Sequence, residues 1–192
     1  MVYRQIVNVA QRLGVVSGTP TLQILGGHDV NAFAKSGTTV AVTIGLSQLI
    51  SDSPSELAFA LAHEVGHIYQ QQHGGKTEFH PNPEFDADVW GALLSMSAGF
   101  DPYAAAGTLA KLSMATGTAS LLSQFEDQLS GDAHRSFNER LDNIFDNLVA
   151  ACNSSDAMRQ TCATYKGVFH PNLPEVAPLR KPGVDLQTPS SR

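Results

Sequence analysis

The sequence predicts an α+β fold, mainly helical with a small β component, and three observations carry that reading. Two short segments, Leu22-Gln23-Ile24-Leu25 and Thr39-Val40-Ala41-Val42-Thr43-Ile44, have the length and patterning of strands. Three Ser/Asn/Asp-Pro pairs, at Ser53-Pro54, Asn82-Pro83 and Asp101-Pro102, announce helices. Phe137, Leu141, Ile144, Phe145 and Leu148 recur with a helical period. A chain of 192 residues with 42% hydrophobic residues suffices for one packed core.

In chain order, Ile6 to Leu13 reads as the end of a short amphipathic helix, and Leu22–Leu25 as a strand closed by a turn at Gly26-Gly27. Thr39–Ile44 alternates apolar with small or polar residues and reads as a half-buried strand. Ser53-Pro54-Ser55-Glu56 combines an N-cap serine, proline at the first helical position and a capping-box glutamate. The helix it starts runs to about Gln72 and stops at Gly74-Gly75. A second helix begins at Asn82-Pro83-Glu84 and stops near Gly99, a third begins at Asp101-Pro102, and the periodic segment from Phe137 supplies a fourth. Half of the 10 prolines fall between Pro171 and Pro189. Residues 1–166 therefore read as one domain and 167–192 as an extended or disordered tail.

A formal net charge of -6 with a pI near 5.5 argues against nucleic acid and against anionic lipid as partners. No apolar run approaches the roughly 18–20 residues of a membrane span, and the residues after Met1 lack the basic start and apolar stretch of a secretory signal. Cys152 and Cys162 match no zinc-ligand spacing. In an exported protein they are expected to form one disulfide; in a cytosolic one they stay separate thiols.

His63-Glu64-Val65-Gly66-His67 is an H-E-x-x-H pattern inside a predicted helix. At 3.6 residues per turn the two histidines stand about 40° apart, so both imidazoles can reach one ion. Glu64 is displaced from both and can reach a water on the metal without being a ligand. A catalytic zinc usually takes three protein ligands plus water. His73 has the H-E-x-x-H-x-x-G-x-x-H spacing, but Gln70 occupies the position where that pattern needs a turning glycine. Glu84, in Glu84-Phe85-Asp86-Ala87-Asp88, is the better third ligand; Asp88 shares its helix face and can orient a ligand histidine, while Asp86 points nearly opposite. Taken alone, this acidic first turn would read as a complement to the helix dipole.

Several motifs in order resemble the HtpX-like and CAAX-prenyl-protease-like zinc endopeptidases, including their soluble BepA-like branch. They are Asn31-Ala32-Phe33-Ala34, Gly45-Leu46, Glu56-Leu57-Ala58 leading into the H-E-x-G-H helix, Glu84-Phe85-Asp86-Ala87-Asp88, and Gly99-Phe100-Asp101-Pro102. The resemblance spans roughly Ile6 to Leu141 and implies a gluzincin metallopeptidase domain with a small mixed β-sheet beside the H-E-x-x-H helix. By similarity, His63, His67 and Glu84 would bind one Zn2+, Glu64 would be the general base and Asp88 a partner behind the ligands. His134 and Arg140 resemble a further pair of catalytic residues, although Arg135 stands where the family has proline. Read without the resemblance, His134 is a loop histidine near an N-cap and Arg140 a member of a buried ion pair.

The function implied is a zinc metalloendopeptidase acting on unfolded or flexible protein segments, with the Thr39–Ile44 strand as the cleft's edge. The alternative is a latent or inactive fold that binds other proteins, its zinc closed off by His134. The expected location is the bacterial cell envelope (periplasm) or outside the cell, with cytoplasm as the alternative. Oligomeric state and physiological substrate are not encoded in any of these motifs.

Overall fold

The computed structural model describes residues 1–115 and 137–153, together with Asp156, Arg159, Gln160, Cys162 and Ala163. His134, the side chain of Phe137, the expected domain boundary at 166 and the tail 167–192 lie outside the described residues. The elements are α1 (Val2–Arg12), β1 (Thr21–Leu25), β2 (Ala32–Lys35), β3 (Thr39–Thr43), α2 (Ile44–Leu49), α3 (Pro54–Gln72), α4 (Pro83–Ser97), α5 (Ala104–Ala115) and α6 (Phe137–Cys152).

Two predicted N-caps and the predicted stop are used. Glu56, however, pairs with Lys111 at 2.8 Å while the Ser53 N–H goes to the Ile50 carbonyl, so no capping box closes. α5 begins at Ala104 and not at Asp101-Pro102. Ser53 accepts the backbone N–H of Glu56 at 3.3 Å to open α3, and Asn82 accepts those of Glu84 and Phe85 at 2.9 and 3.3 Å to open α4. After the C-cap His73, Gly74 takes a positive φ of 68° and the Gly75 N–H returns to the Gln70 carbonyl at 2.8 Å. This Schellman-type stop ends α3. α1 begins at Val2, earlier than its periodicity suggests, because Val2 and Tyr3 also pack against the core.

The sheet corrects two sequence readings. Its order is β1-β3-β2, with β1 parallel and β2 antiparallel to β3. The Thr39–Thr43 strand is therefore central and is not the cleft's edge. Val40, Ala41, Val42 and Thr43 are all buried, which suits a strand paired on both sides. The edge beside the helices is β2, which carries Ala32-Phe33-Ala34 of the motif with a family resemblance and packs on α3. Ile44 does not extend β3. The Thr43 hydroxyl accepts the Leu46 N–H at 3.3 Å and caps α2 instead.

α3 is the central helix, with α4 as its most extensive partner and with α1, α5 and β2 also on its flanks. It is buried on all sides from Leu61 to Gln70, as expected of a helix enclosed by other elements. Two glycines let α3 and α4 approach closely. A Cβ at Gly66 would lie 2.9 Å from the Trp90 Cβ and 3.1 Å from the Ala87 Cα. One at Gly91 would lie 3.0 Å from the Phe59 ring and 3.3 Å from the His63 backbone nitrogen. This approach sets the first turn of α4 against the histidines of α3.

α6 buries Ile144, Leu148 and Ala151, with Leu141 and Phe145 partly covered, and Asn143 ties it to α4 by donating to the Phe85 carbonyl at 2.9 Å. Cys152 at its end is joined to Cys162 by a disulfide.

Candidate metal centre

The i, i+4 spacing on α3 places His63 Nε2 and His67 Nε2 3.1 Å apart. Glu84, from the first turn of α4, sets its carboxylate 3.5 Å from His63 Nε2 and 3.2 Å from His67 Nε2. One ligand atom from each of His63, His67 and Glu84 falls within 4.8 Å of the others, the geometry of a metal site. The structure thus brings together the three predicted ligands from two helices. His73 stands apart at the end of α3, stacked on Tyr69 with ring centroids 4.2 Å apart and its Nδ1 2.7 Å from the Tyr69 carbonyl.

Each histidine is oriented from behind. His63 Nδ1 is 3.0 Å from Asp88 Oδ1, an acceptor that holds the proton on Nδ1 and leaves Nε2 with its lone pair. Asp88 is wholly buried, and Arg140 of α6 grips it with a two-pronged contact, Nε to Oδ2 at 2.7 Å and the second guanidinium nitrogen to Oδ1 at 2.6 Å. Burial alone would raise the Asp88 carboxyl, but the Arg140 charge and the hydrogen bonds from His63 and Arg140 hold it below its ordinary range. Of the two expectations for Arg140, a buried ion pair and a catalytic group, this contact is the ion pair, and through Asp88 it bears on His63. Fellow candidate His134 lies outside the described residues.

His67 is oriented by residues that sequence reasoning did not assign. Its Nδ1 lies 2.9 Å from Gln70 Oε1, and Gln70 Nε2 in turn donates to the Pro83 carbonyl at 2.8 Å and to Asp86 Oδ2 at 3.0 Å. The signal was present: Gln70 is three residues after His67, on the same helical face. In the H-E-x-x-H-x-x-G-x-x-H pattern the same position stands out only as the one that lacks glycine.

The remaining electrostatics point to a cation. With both Nδ1 atoms committed as donors, the two Nε2 lone pairs and the Glu84 oxygens form a cluster of acceptors that only a cation, metal or proton, can satisfy. Burial lowers the His63 imidazole, yet hydrogen bonds to Asp88 and Glu84 and their charges outweigh it and push it up to about 10. His67 follows the same pattern: burial lowers it, and the charge and hydrogen bond of Glu84 raise it overall. Glu84 is held well below the usual carboxylate range, since the histidines outweigh the opposing effect of burial. Without metal, protons take the cation's place.

Glu64 lies beside this cluster, 3% exposed, and burial raises its carboxyl. The backbone N–H of Ala34 on β2 is directed at it, whereas its buried Oε2 meets no partner among the described residues. An orphaned carboxylate oxygen next to an acceptor-only cluster fits a group still to be supplied, as does a donor set of two imidazoles and one carboxylate.

Comparison with known families gives two matches. Peptidase family M48 matches residues 1–80, and peptidase U49 matches residues 55–161. They overlap on α3, which carries His63, Glu64 and His67, and the second extends over Glu84, Asp88 and Arg140. No curated protein matches the chain.

Proposed function

Because the chain belongs to an M48-like metallopeptidase family, we propose that it is a zinc metalloendopeptidase that hydrolyses peptide bonds in unfolded or flexible protein segments. The observation that carries this reading is the acceptor-only cluster of His63, His67 and Glu84 with the unpartnered Glu64 oxygen beside it. His63, His67 and Glu84 would hold the ion. Zinc, once bound, supplies a Lewis acid that brings water ionisation towards neutral pH.

Glu64 takes the proton of the attacking water on its carboxylate and passes it to the leaving amine. Its raised pKa, caused by burial, suits a group that must both accept and return a proton. Asp88 and Gln70 keep the two imidazole lone pairs turned inward. β2, as the sheet edge whose Ala34 reaches Glu64, is the strand against which an extended substrate would lie. That mode of binding favours substrates whose backbone is free to extend. Among the described residues no helix is long and apolar enough to cross a membrane. The Cys152–Cys162 disulfide supports an oxidising compartment, the cell envelope or the outside of the cell.

The deciding experiment is Glu64→Gln. The variant should retain zinc by elemental analysis and lose hydrolysis of casein; retained cleavage by the zinc-loaded variant would remove Glu64 from the mechanism.

A further inference from the structure

The two ligand histidines are held by different chemistry. Behind His63 stands a charge pair, Asp88 with Arg140. Behind His67 stands a neutral amide, and a carboxamide can face either way, so something must fix its direction. Asp86 does so. It is wholly buried, and its Oδ1 accepts the backbone N–H groups of Glu78 and Phe79, each at 2.7 Å. Its Oδ2 and the Pro83 carbonyl, both acceptors, converge on one end of the Gln70 amide at 3.0 and 2.8 Å. Only the NH2 end of Gln70 can face two acceptors. Its Oε1 is therefore turned to His67, the His67 proton sits on Nδ1, and the Nε2 lone pair is left for the ion.

We propose that Gln70 and Asp86 are positioning residues that, through this one-way chain of hydrogen bonds from the 78–79 backbone, hold His67 in its metal-binding tautomer; the proposal rests on the metal-centre reading above. The chain also ties the segment between α3 and α4 to the site. Phe79, which donates to Asp86, rests against Trp90 with ring centroids 4.9 Å apart.

The direction of the chain can be disturbed. Asp86→Asn keeps one oxygen for the two backbone N–H groups and turns an NH2 towards the NH2 of Gln70. The Gln70 amide then faces a donor at 86 and an acceptor at the Pro83 carbonyl, so neither orientation satisfies both and Oε1 is no longer held on His67 Nδ1. Zinc affinity of the full chain, measured by chelator competition, should fall roughly 10–100-fold. The zinc-loaded wild type should show a slowly exchanging His67 Nδ1–H by NMR, and that signal should be lost in Asp86→Asn.

Wild-type affinity in Asp86→Asn would overturn the proposal, with the metal-centre reading left standing. If the unaltered chain takes up no zinc, both readings fall. Should Asp86→Asn fail to fold, Gln70→Met removes the acceptor to His67 together with the donor to Asp86 and the Pro83 carbonyl, and unchanged affinity there overturns the proposal equally.

Discussion

Replacing the Arg140 guanidinium tests how the protein keeps a charged carboxylate behind His63. Arg140→Met retains much of the aliphatic stem and deletes both prongs of the contact with Asp88. The two side chains are 9% and 0% exposed, so solvent does little to screen the loss. Removing one member of a buried pair costs about 3–5 kcal/mol. The protonated His63 of the zinc-free protein, 3.0 Å from Asp88, sets the expectation at the lower end of that range. Against a total stability of about 5–15 kcal/mol this is a large fraction. For a domain of this size it corresponds to a fall in Tm of roughly 6–20 °C. Thermal denaturation of the zinc-free protein reads the effect without interference from metal binding. A Tm within about 2 °C of the parent for Arg140→Met would refute the reasoning.

Two further outcomes follow from the site. Glu84→Ala should lose most of its zinc by elemental analysis while His73→Ala keeps a full complement, because Glu84 faces both Nε2 atoms and His73 is turned to Tyr69; the reverse result would restore His73 as the third ligand. In zinc-free protein the raised folded-state values of His63 (about 10, against 6.5 unfolded) and His67 contribute stability that is complete below pH 6.5 and lost as pH rises towards 10. Glu84 and Asp88, held below their ordinary ranges, contribute stability present above those ranges and lost as pH falls through their depressed values. The Tm of the zinc-free protein should therefore decline between pH 6.5 and 10 more steeply than that of the zinc-loaded protein, in which the ion replaces the protons; parallel profiles would count against protons standing in for the ion.

The sequence by itself determined what depends on neighbours within one or two helical turns. His63 and His67 share a face because α-helical geometry puts residues four apart side by side. Ser53, Asn82 and the Gly74-Gly75 stop act through hydrogen bonds of a few residues' span, so the bounds of α3 and the start of α4 were legible. Only the tertiary structure decided what depends on which elements meet. Glu84 reaches the histidines because Gly66 and Gly91 allow α3 and α4 to close up. Arg140 is a partner of Asp88, 52 residues away, and periodicity within α6 cannot show that. β3 is central because strands on both sides pair with it, and its alternating pattern, which reads as half-buried, did not show that Val40 to Thr43 are all buried. Gln70 shows the division in one residue. Its place on the helix was readable, but its orientation is imposed by Asp86 and Pro83, which only the fold brings to it.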